Sequence, residues 1–248
     1  MRYFFQISYR GTAYNGWQSQ PNATGIQQIV EKVMTTVLQE KIAITASGRT
    51  DTGVHCVKQY FHCDIEKTFN TERLIIQLNS YLPKDIAIHQ IYKVTPDANA
   101  RYDAYERTYE YHITRIKDPL KTGLAFHYFK EVDLPTMNKA GSLITGTHDF
   151  QCFSKVHTDV NHFICELKEV HWNQKKDLMV FTITGNRFLR GMVRAIVGTL
   201  LDVGSGKISM KEFQDILKSK DRKKAGMNAP PDGLFLMEVK YPRSIFVK

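Results

Sequence analysis

Residues 46–56 read ASGRTDTGVHC, and the role given to Asp51 decides what kind of protein folds around it. Asp51-Thr52-Gly53 is the tripeptide with which many aspartic proteases present a catalytic carboxylate. That chemistry needs two aspartates sharing one proton, from two copies of the tripeptide or from a homodimer, because like charges a few ångströms apart cannot both ionise. One copy is present here, and Arg49, two residues upstream, favours a lone charged carboxylate instead. Gly48 and Gly53 bracket the aspartate, so the backbone can turn tightly and approach a ligand closely. Asp and Gly are equally the residues of an ordinary turn, and the stretch by itself leaves turn and site open.

Outward from this loop the chain alternates strands and helices. KIAITASG (41–48) reads as a strand running into it, and VHCVKQYFHCDI (54–65) as the strand leaving it. MRYFFQISYR (1–10) alternates as a strand does. The loop GTAYNGWQSQPNAT follows it, and Thr24-x-x-Gln27 supplies a capping-box signal for a helix carrying Ile26, Ile29, Val30, Val33, Val37 and Leu38. Asn70 caps a second helix through Leu74, Ile75 and Leu78 that stops near Pro83, and IAIHQIYKV (86–94) returns as a strand.

A second half opens near residue 104 with ERTYEYHITR, whose alternation resembles that of the first strand. Asp133 and Pro135 start a helix with Gly146 as its stop, and VHWNQKKDLMVFTITG (170–185) reads as a hairpin. FLRGMVRAIVGTLLDVG (188–204) reads as an apolar helix, and Ser209-x-x-Glu212 caps a short one. If the apolar helix begins near Asn186, then Arg187, Arg190 and Arg194 share one face. An arginine on such a helix is costly to bury unless it meets a carboxylate or a phosphate. The pattern predicts an α+β protein of two related halves, residues 1–103 and 104–248, with mixed, mainly antiparallel sheets flanked by helices.

Composition narrows the function. The formal net charge is +9 and the pI is near 9.3, which favours a polyanionic partner. Lys218, Lys220, Arg222, Lys223 and Lys224 cluster around a single Asp221, although a solvated helix end would look the same. No apolar run approaches the ~20 residues of a membrane span. The N-terminus lacks the apolar core of a signal peptide, so a cytoplasmic location is expected. Four scattered cysteines are expected to be reduced thiols. Two His-Cys pairs, at 55–56 and 62–63, raise the question of a metal. On one strand His55 and Cys63 lie roughly 26 Å apart at ~3.3 Å per residue, and no C-x-x-C pair exists, so no metal site is expected.

GRTDTGVHC resembles the signature of the tRNA pseudouridine synthases of the A class, in which Gly-Arg-Thr-Asp-x-Gly-Val-His carries the catalytic aspartate. Further blocks resemble that family in order along the chain: YNGWQSQPNATGIQ (14–27), NARYDAYERTYEYHI (99–113), GTHDFQCFS (146–154), FLRGMVRAIVGTLLDVGSGK (188–207) and AGMNAPPDGLFL (225–236). Thr52 and Cys56 replace the family's usual alanines, and NHFICELKEVHW lacks an arginine common there.

The resemblance implies a pseudouridine synthase fold with a cleft between the halves, and isomerisation of uridine at positions 38, 39 and 40 in the anticodon arm of tRNA. It implies a homodimer and no cofactor. Asp51 would act at the ribose as base or nucleophile, with Arg194 as its ion-pair partner and Tyr109 stacked on the extruded uracil. Arg49 would fill the gap left by the target nucleotide. Arg187, Arg190, Lys218, Lys220, Arg222, Lys223 and Lys224 would grip phosphates.

Overall fold

A computed structural model of the protein describes residues 1–21, 23–156 and 160–247. Its contacts divide into two compact units, Met1–Glu106 together with Phe235–Lys248, and Arg107–Leu234. The final strand, which the sequence pattern leaves with the second half, is thus grouped with the first.

In the first unit, β1 (Arg2–Tyr9), β3 (His55–Asp64) and β4 (Ile86–Lys93) form antiparallel pairs with β1 in the centre. Strand β10 (Leu234–Lys240) joins β3 in parallel, through Phe235 beside His55 and Leu236 beside Cys56. Phe4 and Phe5 are both fully buried although neighbours on a strand point to opposite faces, so both faces of this sheet are covered. On the Phe5 side the ring stacks on Phe61 at 5.0 Å, and Trp17 lies over Phe61. On the Phe4 side Tyr241 and Phe246, from the C-terminal return, meet its ring edge-on.

Helix α1 (Ile26–Leu38) buries Ile26, Val30, Met34 and Leu38 at helical spacing. The expected Thr24 capping box is not made. Gly25 is the N-cap and offers no side-chain bond, while the first amides of the helix donate to the carbonyls of Gly16 (3.1 Å) and Trp17 (2.9 Å). Helix α2 (Thr71–Tyr81) starts as predicted, with the Arg73 N–H donating to Asn70 Oδ1 at 2.9 Å. The strand expected over KIAITASG shrinks to β2 (Thr45–Ala46). Ile42 and Ile44 alternate inward as a strand's residues would, but the Ile44 N–H donates to Glu31 Oε1 and its carbonyl accepts from Gln27 Nε2, so side chains of α1 take the place of a ladder.

In the second unit, β5 (Glu106–Thr114), β7 (Gly146–Asp149), β8 (Ile164–Lys175) and β9 (Leu178–Gly185) are antiparallel in the order β5-β9-β8-β7, with the short β6 (Phe126–His127) parallel to β5. Helix α3 (Leu134–Ser142) is capped by Asp133, which accepts from the Thr136 N–H, and it ends before the predicted Gly146 stop. Its Asn138 amide trades two hydrogen bonds with the backbone of Trp172, satisfying a stretch of β8 that β7 is too short to cover. Helix α5 (Met210–Ser219) carries the predicted Ser209–Glu212 capping box.

Helix α4 (Met192–Gly204) is buried along most of its length. It begins later than the sequence suggests because Gly191 takes the left-handed conformation, φ +72°, and breaks the run. Arg187 and Arg190 therefore precede the helix and share no helical face with Arg194. None of the helices among the described residues is long and apolar enough to cross a membrane.

One prediction separates helix propensity from packing. Gly198 lies inside α4, where Gly→Ala ordinarily stabilises by about 1 kcal/mol. A Cβ there would stand 1.8 Å from the Met227 carbonyl oxygen. Gly198→Ala is expected to destabilise by ~1–3 kcal/mol in urea unfolding, the cost of overpacking; a gain would show that residues 225–229 do not rest on α4.

Candidate active site

Asp51 sits on the loop between β2 and β3, half-buried, and the loop is pinned from several sides. The Thr50 carbonyl accepts the Trp17 N–H at 3.2 Å, and the Thr50 hydroxyl pairs with the buried Tyr9 hydroxyl at 2.8 Å. The Gly53 N–H donates to the Tyr14 carbonyl at 3.2 Å, and the Val54 N–H closes a turn onto the Asp51 carbonyl at 3.1 Å. Gly53 has φ +79°, the left-handed region that a side chain resists. Arg49 is exposed on the same loop, and a Cβ on Gly48 would meet nothing within 4 Å. The near flank of the loop is therefore open and its far flank is locked.

The lock is the segment Gly11–Trp17. A Cβ on Gly16 would stand 2.3 Å from the Thr50 carbonyl oxygen, and one on Gly11 would stand 2.0 Å from that of Val54. Only glycine allows backbone to lie this close to backbone. The Gly11 N–H donates to His55 Nδ1 at 3.1 Å, and the buried His55 ring stacks on Phe235 at 4.6 Å. Tyr14 reaches Asp85 through a 2.5 Å hydrogen bond. Burial first, and Asp85 second, push the Tyr14 phenol above its usual range, so it remains a donor. Tyr9, Gly11, Gly16, Trp17 and His55 brace the Asp51 loop and the segment packed on it, and residue-by-residue reading misses them. For Gly16 and Trp17 the signal is the block YNGWQSQPNATGIQ (14–27) and for His55 it is GRTDTGVHC, both of which resemble the family; Tyr9 and Gly11 lie outside the blocks and carry no such signal. Asn22, in the first of these blocks, lies outside the described residues.

The other candidates belong to the second unit. Tyr109 and Tyr111 follow one another on the same face of β5, yet they differ in kind. Tyr111 is fully buried and donates to the Pro230 carbonyl at 2.7 Å, and burial pushes its phenol upward. It is a core residue. Tyr109 is half-buried and meets the Phe188 ring edge-on at 5.1 Å, so its ring is held by packing while part of its surface stays accessible.

Arg194 lies in the first turn of α4, half-buried among buried neighbours. Its Nε donates to the Ala229 carbonyl at 2.6 Å, and the Ala229 N–H returns a bond to the Arg194 carbonyl at 3.0 Å. This reciprocal pair fixes the plane of the guanidinium. The segment bearing Ala229 is anchored in turn by the Gly226 N–H on the Thr199 hydroxyl and by Arg222, whose guanidinium donates to the carbonyl of Gly226 and to Asn228 Oδ1. Arg222 is thus half-buried and occupied with the loop that orients Arg194, which sets it apart from its exposed neighbours Lys218, Lys223 and Lys224. Lys220 pairs with Asp149 at 2.8 Å, and Arg187 contacts the His162 ring at 3.1 Å. Burial alone would raise the Asp149 carboxyl; hydrogen bonds from Lys220 and the Gln151 N–H outweigh it and hold the group below its usual value.

The sequence is similar to known proteins over nearly its whole length. A family model described as tRNA pseudouridine synthase matches residues 6–103 and 140–242. A protein named tRNA pseudouridine synthase A from Porphyromonas gingivalis is 43% identical over 250 residues, covering 99% of each chain. Proteins of the same name from Bacteroides fragilis and Bacillus subtilis are 43% and 38% identical, covering 98% and 99% of those relatives and 99% and 97% of this chain.

The lock on the Asp51 loop predicts a measurable cost. Tyr9→Phe removes the phenol oxygen and leaves the buried Thr50 hydroxyl without its partner, at ~1–3 kcal/mol by urea denaturation. Unchanged stability would mean that the Tyr9–Thr50 bond does not hold the loop.

Proposed function

Since the chain belongs to the tRNA pseudouridine synthase family, we propose that it isomerises uridine to pseudouridine at positions 38, 39 and 40 in the anticodon arm of tRNA, with Asp51 as the catalytic carboxylate. The conversion of uridine to pseudouridine in tRNA is the reaction of the family. The N1–C1′ bond breaks, the uracil rotates, and a C5–C1′ bond forms; C5 gives up its proton and N1 ends protonated. Substrate and product are isomers and no electrons are gained or lost, so the reaction consumes no oxidant or reductant.

Each chemical need has a residue suited to it. Something negatively charged must act at the ribose, as base or as nucleophile, and Asp51 is the carboxylate on the loop that the rest of the first unit holds still. The freed base must be retained while it turns. Tyr109 offers a ring face, and stacking contributes ~1–3 kcal/mol per base while tolerating rotation. Arg194 is assigned as the partner of the Asp51 carboxylate, with its guanidinium plane set by the bond to Ala229. Arg49, exposed beside Asp51, fills the place of the nucleotide drawn out of the stem. Exposed Lys218, Lys223 and Lys224, together with Arg187, Arg190 and Lys220, hold phosphates. Arg222 contributes by supporting the loop that orients Arg194. The enzyme works in the cytoplasm as a homodimer.

The observation that carries this reading is the clamped Asp51 loop, in which two glycines bring backbone against backbone beneath a carboxylate. An ordinary surface turn has no need of such rigidity. A protein that kept the scaffold only to bind RNA would not need Asp51, Tyr109 and Arg194 together.

Incubation with unmodified tRNA transcript, followed by chemical mapping, is expected to place pseudouridine at positions 38 to 40. Absence of product from the wild-type protein would remove the enzyme reading. Asp51→Ala should bind tRNA nearly as well as wild type and lose at least about 10⁴-fold in turnover; retained turnover contradicts its role. Arg194→Ala should lose rate by ~10²–10³-fold, more than it loses binding. Lys223→Ala should instead weaken binding and flatten its salt dependence by ~0.7–0.9 in log–log slope. Equal effects from the two substitutions would show that the basic groups have been misassigned.

A further inference from the structure

We infer that the second unit carries a dedicated hollow for one RNA phosphodiester, in which Lys155 acts together with Lys220 and Lys223. The inference rests on the tRNA reading above and adds residues to it, since Lys155, Ser154 and Gln151 belong to none of the groups assigned so far. The hollow has a volume of about 290 Å³ and is lined by Gln151, Ser154, Lys155, Phe163, Lys220 and Lys223, with Arg222 and Asp221 in its wall.

Three chain segments converge there, and each is held by its own backbone. The first is the 3-10 turn Gln151–Phe153 with Ser154 and Lys155 directly after it. The Phe150 N–H donates to the Phe163 carbonyl at 2.9 Å, the Gln151 N–H to Asp149 Oδ1, and the Ser154 N–H to the Gln151 carbonyl. The Lys155 N–H of this segment donates to the Arg190 carbonyl at 2.9 Å, which braces it from outside the hollow; the second segment is Phe163. The third is the end of α5. Lys220 takes φ +52°, so the chain swings sharply, and the Lys223 N–H is caught by Asp221 Oδ1 at 2.9 Å. Lys220 is tied to Asp149 of the first segment. The cations are therefore carried on fixed backbone and do not sit along a frayed helix end.

The charge balance selects an anion. Among the described residues the lining carries four cations, Lys155, Lys220, Arg222 and Lys223, and one carboxylate, Asp221; Asp149, outside the lining, pairs with Lys220, which leaves a formal excess of two positive charges. The exposed Gln151 amide can donate a hydrogen bond to a phosphate oxygen, while the buried Ser154 hydroxyl donates to the Lys155 carbonyl and braces that residue. Phe163 offers an apolar wall suited to a ribose, so the ligand that fits is a phosphodiester with its flanking sugar. Such a contact fixes the register of the RNA without reading its sequence.

The test is the salt dependence of the full-length protein's affinity for an unmodified tRNA transcript. Lys155→Ala is expected to lower the log–log slope by ~0.7–0.9, the increment for one phosphate, and Lys155→Arg to retain the wild-type slope. The double variant Lys155→Ala, Lys223→Ala should lose no more slope than either single one, because both lysines serve the same phosphate. A wild-type slope for Lys155→Ala overturns the inference. So does a double variant whose loss equals the sum of the single losses, or a Lys155→Arg protein as impaired as Lys155→Ala. A wild-type protein that makes no pseudouridine yet shows these slope changes would remove the isomerase reading and leave the hollow in place.

Discussion

The contact on which the Asp51 loop depends is backbone against backbone. The Trp17 amide and the α-carbon of Gly16 lie directly on the Thr50 peptide, one residue from Asp51. A carboxylate on a free loop would spend most of its time in unproductive orientations. Here the flanking peptide groups are bound to a segment held by the His55 ring and by a Trp17 that is only 2% exposed, and Tyr9 ties the loop directly through Thr50. Preorganisation of this kind restricts the geometries open to the side chain that the loop carries.

The same economy governs Arg194 in the second unit. A guanidinium on a buried helix would be expensive if it were merely tolerated. Its Nε is satisfied by Ala229, whose segment is strapped to α4 through Thr199, is braced internally by Arg222, and fits because Gly198 leaves room for the Met227 carbonyl. Two loops far apart in sequence, 11–17 and 225–229, thus play matching parts. Each makes its close contact through glycine, Gly11 and Gly16 within the first loop and Gly198 beneath the second, and each braces the backbone or side chain of a charged residue.

How much of the fold is legible in the sequence depends on the range of the interactions involved. Asn70, Asp133 and Ser209 are legible as helix starts because each bond spans three residues. The α+β class, the mainly antiparallel pairing and the 170–185 hairpin are legible from alternation. Thr24 misleads because the amides it would have capped are taken by carbonyls of the preceding loop. The helix assigned to Arg187 and Arg190 misleads because the apolar residues Phe188 and Leu189 extend the stripe of α4 past the left-handed Gly191 that ends it. Arg222 looks like its lysine neighbours, and only its bonds to residues 226 and 228 mark it as internal. Asp51 itself stays undecided between turn and site without its wider motif, since nothing in its immediate neighbours reveals that residues 11–17 will press on it.

The return of the chain to the first unit bears on biogenesis. As the ribosome releases the polypeptide, β3 must wait for residues 235–236 before its parallel neighbour arrives, and the ring of Phe4 waits for Tyr241 and Phe246. During that interval a strand border and an aromatic surface are bare, the features by which nascent chains stick to one another. Maturation of the first unit is therefore gated by residues 235–246, which are made more than a hundred residues after the rest of it, and a ribosome stalled before them would release a product whose first unit lacks a strand and part of the cover over its aromatic face.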